Sequence, residues 1–170
     1  MTEPKPIVAI APSLCSSAIV HWAGAQCLSC SGSLPPESPP ERLTPNALAY
    51  IGDSVYELYM RLAYLLPPRR IADYHQQVVN QVRAEQQARY LALWQPHLTP
   101  QEQDWVRRGR NATTRRPPRL AAQVYQQASG FETLIGYLYL SDRARLQELF
   151  GYLWGEEGER LKGNGKGELV

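Results

Sequence analysis

The chain has 170 residues, enough for one domain with a real core, and a net charge of +2. Its hydrophobic fraction is ordinary for a globular protein, and no apolar run reaches the length of a bilayer-spanning helix, which argues against a membrane protein. Almost all of its positive charge is arginine, whose planar donor fork suits phosphate.

Residues 1–42 stand apart. They are rich in Ser, Ala, Pro and Cys and close on "GSLPPESPPE", a proline cluster that cannot continue a helix and reads as a linker. Pro12 and several serines break the apolar part, and only Lys5 is basic before Arg42, so neither a signal peptide nor a transit peptide is complete. Three readings stay open: a poorly ordered extension, a start codon assigned too early, or a targeting segment. The three cysteines, Cys15, Cys27 and Cys30, all fall here, so no disulfide framework holds the core. Cys27 and Cys30 form a lone C-x-x-C, a weak zinc or redox signal that incidental cysteines explain as well.

From residue 43 the pattern is helical with short breaks. Thr44 and Pro45 predict a helix start, with Thr as N-cap and Pro in the first helical position. That helix should run to about Leu66, stopped by Pro67 and Pro68. A second is predicted from Ile71 to Trp94, before Pro96. "TPQE", beginning at Thr99, has capping-box spacing and opens a short helix ending near Gly109. A fourth covers roughly residues 120–140, and "SDRARLQELFGYLW" supplies a fifth. No period-2 strand pattern and no internal repeat is present. The expectation is an all-α domain over residues 43–161, a helical bundle, followed by a flexible tail at 162–170.

Two carboxylates stand out. On the first helix Leu48, Ile51, Val55, Leu58, Leu62 and Leu65 form a broad apolar face, widened by Ala49, Tyr56 and Met60. Asp53 lies beside that face, directly after Gly52. It either joins a solvated stripe on which Glu57 and Arg61 pair at i, i+4, or it has a task. Glu132 poses the same question, because "SGFETLIGYLYL" holds one acid in an otherwise apolar helix. The core face there is Val124, Phe131, Leu134, Ile135 and Leu138; Glu132 sits at its edge among Ala121, Ala128, Ser129 and Gly136. Glycine lets another backbone approach closely, and an ionised carboxylate in such a place is costly unless paired. Asp53 and Glu132 therefore either each find an arginine or share one hard cation such as Mg²⁺, which prefers oxygen ligands.

"WVRRGRNATTRRPPR", starting at Trp105, holds Arg107, Arg108, Arg110, Arg115, Arg116 and Arg119 with Asn111 and no acid. It joins two helices and reads as an exposed basic loop. Arginines unalternated by acids suit a nucleic-acid backbone, the alternative being a solvated loop. A basic loop with paired carboxylates suggests metal-assisted phosphodiester cleavage. Elsewhere, Glu57 reads first as a partner for Arg61, and second as an acid orienting a metal-bound water. His75 and His97 have no visible partner, Tyr74 and Trp94 read as core, and Tyr137 and Tyr139 point to different sides of their helix.

"NALAYIGDSVYE" and "FETLIGYLYL" resemble the two signature helices of the ribonuclease III family. "RRGRNA" ahead of "SGFETLIGYLY" is similar to its mini-ribonuclease III branch, which lacks the usual double-stranded-RNA-binding domain. The resemblance implies a homodimer of all-α nuclease domains and Mg²⁺-dependent hydrolysis of double-stranded RNA, leaving 5′-phosphate and 3′-hydroxyl ends. It implies that Asp53 and Glu132 are catalytic and hold the metal. It also implies that Arg107, Arg108, Arg110, Asn111, Arg115, Arg116 and Arg119 face the RNA. Two further acids of larger family members would fall at Ala49 and Ser129, and a frequent glutamate at Asn46; this sequence lacks all three. The branch is associated with maturing the ends of the 23S ribosomal RNA precursor, with a ribosomal protein on the precursor as a further partner, in bacterial cytoplasm or in plastids. Two alternatives stand against it: a non-catalytic RNA-binding relative on the ribosome, and a helical module whose arginines meet an acidic protein.

Overall fold

Thr44 caps the first helix as its sequence predicts. In the computed structural model, which describes residues 39–112 and 121–155, its Oγ1 accepts the Ala47 N–H at 3.2 Å and Pro45 opens α1 (Pro45–Ala63). Most of the N-terminal extension, the Cys27/Cys30 pair, Arg115, Arg116, Arg119 and the 162–170 tail lie outside the described residues. Ahead of α1, Pro40–Arg42 forms a 3-10 turn whose Glu41 accepts the Tyr137 hydroxyl at 3.2 Å.

The single helix expected from Ile71 to Trp94 is two: α2 (Ile71–Val82) and α3 (Ala84–Trp94). Arg83 between them is extended, at φ −66° and ψ 147°. Polar groups at this corner find buried partners. Tyr56 donates to the Gln81 carbonyl at 3.0 Å, and Tyr90 donates to Gln81 Oε1 at 2.6 Å. A helix end leaves its last carbonyls open, so a hydroxyl from another helix makes the break tolerable. Local periodicity is helical on both sides of Arg83, which is why spacing alone joined them.

α4 (Pro100–Ala112) opens on a reciprocal capping box: Thr99 Oγ1 accepts the Glu102 N–H at 3.3 Å, and Glu102 accepts the Thr99 N–H at 2.7 Å. Glu102 is buried and also takes Arg145 Nε at 2.8 Å from α6 (Arg143–Tyr152). α4 runs past the expected end at Gly109, so Arg110 and Asn111 are helical and not part of a loop.

α5 (Ala122–Ser141) is the central helix, with α1, α3 and α4 packed on it and α6 alongside. That position explains its apolar character on every side. Phe131, Leu134 and Ile135 are fully buried, and Phe131 meets Trp94 and Tyr56 with ring centroids at 4.7 and 5.1 Å. Every regular element among the described residues is a helix, as expected, and none is long and apolar enough to cross a membrane.

The buried face of α1 is rotated from the one its aliphatic spacing suggests. Tyr56, Tyr59 and Met60 are at its centre, whereas Leu58 and Leu65 are 47% and 42% exposed and Ile51 and Leu62 are half-buried. Glycine fixes the rotation. A Cβ on Gly52 would lie 1.9 Å from the Glu132 carbonyl oxygen, and one on Gly136 would lie 2.0 Å from the Leu48 carbonyl oxygen. The backbones of α1 and α5 therefore touch at a crossing that admits no side chain on either helix. Overpacking a tight contact typically costs 1–3 kcal/mol, and more when backbone must move. Gly52→Ala is expected to lose at least about 3 kcal/mol in urea denaturation. Gly151, whose Cβ would meet nothing within 4 Å, is the control: Gly151→Ala should be neutral or gain about 0.5 kcal/mol.

Candidate active site

The crossing of α1 and α5 determines what lies beside it. Asp53 follows Gly52, and Gly52 packs on the backbone of Glu132, so the two acids that appeared as separate oddities in sequence become neighbours. Glu132 is half-buried and its carboxyl is pushed up to about 7, first by loss of water and then by the charge of Asp53. Asp53 opens to solvent, yet partial burial and then the Glu57 charge raise its carboxyl as well. Of the two, Glu132 is the more deeply buried, and its carboxyl is the one raised to about 7.

Neither acid has found a cation. Among the described residues no guanidinium or ammonium pairs with Asp53 or Glu132; the ion pairs join Arg61 to Glu57, Arg107 to Asp104, and Arg145 to Glu102 and Glu148. Glu57 is thus Arg61's partner. No third Asp, Glu, His or Cys completes a metal-binding group among the described residues. Ala49 and Ser129, each one helical turn ahead of an acid, are half-buried and carry no ligand; the Ser129 carbonyl accepts the Thr133 hydroxyl at 2.7 Å. Two unpaired carboxylates, raised by burial and by like charge, fit a hard divalent cation with water in its remaining positions.

A polar neighbour that spacing did not single out completes the site. Gln87 of α3 is 2% exposed, and its side chain hydrogen-bonds the Glu132 carboxyl. Gln87, Tyr90, Leu91 and Trp94 share one buried stripe. An amide in that register was the available signal, because a buried amide needs a partner.

Among the described residues, no arginine of the basic segment pairs with either acid. Arg107 is exposed and paired with Asp104, and the Arg108 guanidinium lies 3.8 Å over the Trp105 ring. Arg110 packs its stem against Gly130. Gly130 and Glu132 are about 200° apart around an α-helix, so Arg110 meets α5 on the side away from the Glu132 carboxyl. Asn111 is exposed at the end of α4. Of the remaining residues with open roles, Trp94 is buried and Tyr74 half-buried, its hydroxyl bonding the Leu65 carbonyl at 2.9 Å. His97 is exposed and stacks on Tyr152 at 4.0 Å, and His75 is exposed. Tyr137 is buried against Trp105, while Tyr139 lies half-buried under Arg143.

The ribonuclease III domain family matches residues 46–143, a span that holds both acids, the glycine crossing and all of α4. The chain belongs to the ribonuclease III family. It is 56% identical over 123 residues to the mini-ribonuclease 3 of Synechocystis sp., covering 71% of this chain and 86% of that relative. The mini-ribonuclease 3 of Thermosynechococcus vestitus is 54% identical over 121 residues (71% and 80%), and that of Desulfitobacterium hafniense 39% over 130 residues (72% and 80%). An X-ray structure of a Fusobacterium nucleatum protein shares the fold, with a TM-score of 0.63, 23% identity, and coverage of 75% of this chain and 99% of that one. The ribonuclease III domain and these relatives make the chain an endoribonuclease of the mini-ribonuclease III group.

The raised Glu132 carboxyl has a consequence for folding. Between its usual value near 4.5 and about 7 the folded chain holds a proton that the unfolded chain releases. The stabilisation is therefore complete below the unfolded value and lost as pH rises through the folded one. In chelator, Glu132→Gln should leave stability nearly unchanged at pH 4 and raise it by roughly 3 kcal/mol at pH 8. Urea denaturation at both pH values checks this; equal effects at the two would contradict it.

Proposed function

We propose that this endoribonuclease cleaves double-stranded RNA with Mg²⁺ held by Asp53 and Glu132, leaving 5′-phosphate and 3′-hydroxyl ends. The observation that carries the reading is the side-by-side pair of carboxylates with no cationic side chain on either among the described residues. The nuclease domain spans residues 43–161. When bound, the metal supplies Lewis-acid polarisation of the scissile phosphate and a more acidic attacking water. The residues that would hold it are Asp53, which opens to solvent, and Glu132, whose raised carboxyl would have to be ionised to serve as a ligand; the Gly52–Gly136 crossing brings the two together. With Ala49 and Ser129 in place of further acids, more of the metal's positions fall to water and to RNA phosphate oxygens.

Duplex RNA is read mainly by shape, phosphates and 2′-hydroxyls. Arg107, Arg108, Arg110 and Asn111 on α4, with Arg115, Arg116 and Arg119 beyond it, form the RNA-binding surface. Binding through these arginines weakens steeply with salt. A homodimer places two sites across the duplex. Its interface is the apolar surface left on α1 and α2, where Leu65 and the 82%-exposed Ile71 sit beside Tyr74 and Val78 and α1 also exposes Leu58. A sedimentation-equilibrium mass of one chain would contradict the dimer. The substrate is the 23S ribosomal RNA precursor with a ribosomal protein bound to it, in bacterial cytoplasm or, if residues 1–42 are a transit segment, in a plastid.

The test is cleavage of end-labelled double-stranded RNA with Mg²⁺ and with chelator. Wild type should cut only with metal, while Asp53→Asn and Glu132→Gln should lose at least about 100-fold in rate and keep RNA binding. Duplex binding by wild type without cleavage at any Mg²⁺ concentration would instead make it a non-catalytic RNA-binding protein. That outcome would mean that the acids absent at Ala49 and Ser129 are needed for cleavage.

A further inference from the structure

We propose that Gln87 is a positioning residue for the metal site: its buried side-chain amide holds the Glu132 carboxylate in the orientation that faces Asp53. The inference rests on the reading of Asp53 and Glu132 as metal ligands. Three observations support it. Gln87 is 2% exposed on the stripe of α3 that packs on α5, where Tyr90, Leu91 and Trp94 serve the core. An amide there is unfavourable unless its hydrogen bonds are made, and its side chain is bonded to Glu132. The donor is also neutral. An arginine or lysine in its place would neutralise Glu132 and compete with a metal ion, whereas an amide N–H fixes one carboxylate oxygen and leaves the negative charge of the pair intact.

A glutamate carboxylate, at the end of three rotatable bonds, loses conformational freedom when it takes a metal, and a hydrogen bond made beforehand removes part of that loss. Partners of this kind typically account for 10–100-fold in metal affinity or activity. No third Asp, Glu, His or Cys joins Asp53 and Glu132 in a metal-binding group among the described residues, so the orientation of Glu132 matters more than in a crowded site.

The experiment is calorimetric titration of Mn²⁺ into the full chain without RNA. It compares wild type, Glu132→Gln, Gln87→Met, Gln87→Asn and Gln81→Met, with a thermal melt of each. Gln87→Met keeps the volume and loses the donor; Gln87→Asn keeps the amide and shortens its reach, so the test survives if the first variant fails to fold. Gln81→Met is the control for a buried glutamine, because Gln81 serves Tyr90 and Tyr56. The expected result is binding lost in Glu132→Gln, weakened 10–100-fold in both Gln87 variants, and within twofold of wild type in Gln81→Met despite a lower Tm. If Glu132→Gln binds as wild type does, or wild type takes no Mn²⁺, the ligand reading itself fails. If Glu132→Gln loses binding while the folded Gln87 variants stay within twofold of wild type, the ligands stand and the positioning role is overturned.

Discussion

The structure depends on one contact, the backbone-to-backbone crossing of α1 and α5. Gly52 and Gly136 sit there because a methyl group on either would run into a carbonyl oxygen at about 2 Å. Close approach rotates α1 so that Tyr56, Tyr59 and Met60 enter the core and Leu58 and Leu65 stay outside. It also brings two carboxylates together, which no folding force favours. Loss of water first, and then the Asp53 charge, keep the proton on Glu132 to about pH 7. Stability is given up at one position, the pattern expected where local physics conflicts with the fold for a functional reason.

The surroundings hold that crossing in place. α5 is covered on several sides, by α1, α3 and α4, so it cannot shift to relieve the repulsion. The Tyr56–Gln81–Tyr90 cluster fixes the corner between α2 and α3, and the Glu102–Arg145 pair ties the start of α4 to α6. Glu102 is a useful contrast with Glu132. Burial raises the carboxyl of each, but at Glu102 the Arg145 guanidinium and the Thr99 amide outweigh it and leave the group below its usual range. A buried and a half-buried glutamate of one chain thus shift in opposite directions, because among the described residues one has a cation and the other does not.

Much of this was legible in the sequence, and the rest failed for identifiable reasons. Thr44 and Thr99 announced their helices because capping is local chemistry. The all-α class followed from helical spacing, and the oddity of an acid beside glycine in an apolar helix led to Asp53 and Glu132 as neighbours. The break at Arg83 was invisible because its compensating hydroxyls come from Tyr56 and Tyr90, which only the fold brings to Gln81. The face of α1 was misjudged because aliphatic residues were weighed above Tyr59, and Leu58 and Leu65 are exposed instead. The arginines were assigned to a loop beside the acids; α4 instead continues through Ala112 and places Arg110 across α5. Gln87 was passed over as one glutamine of a polar run, although its register with Tyr90, Leu91 and Trp94 marked it as buried.

The most direct test of the central claim is anomalous scattering from crystals of the full chain grown with Mn²⁺. The account predicts one strong peak between α1 and α5, bonded to a carboxylate oxygen of Asp53 and one of Glu132, with water completing the shell. A peak bonded to neither, or a Glu132 carboxylate turned away to pair with an arginine while Mn²⁺ is present at saturating concentration, would contradict it.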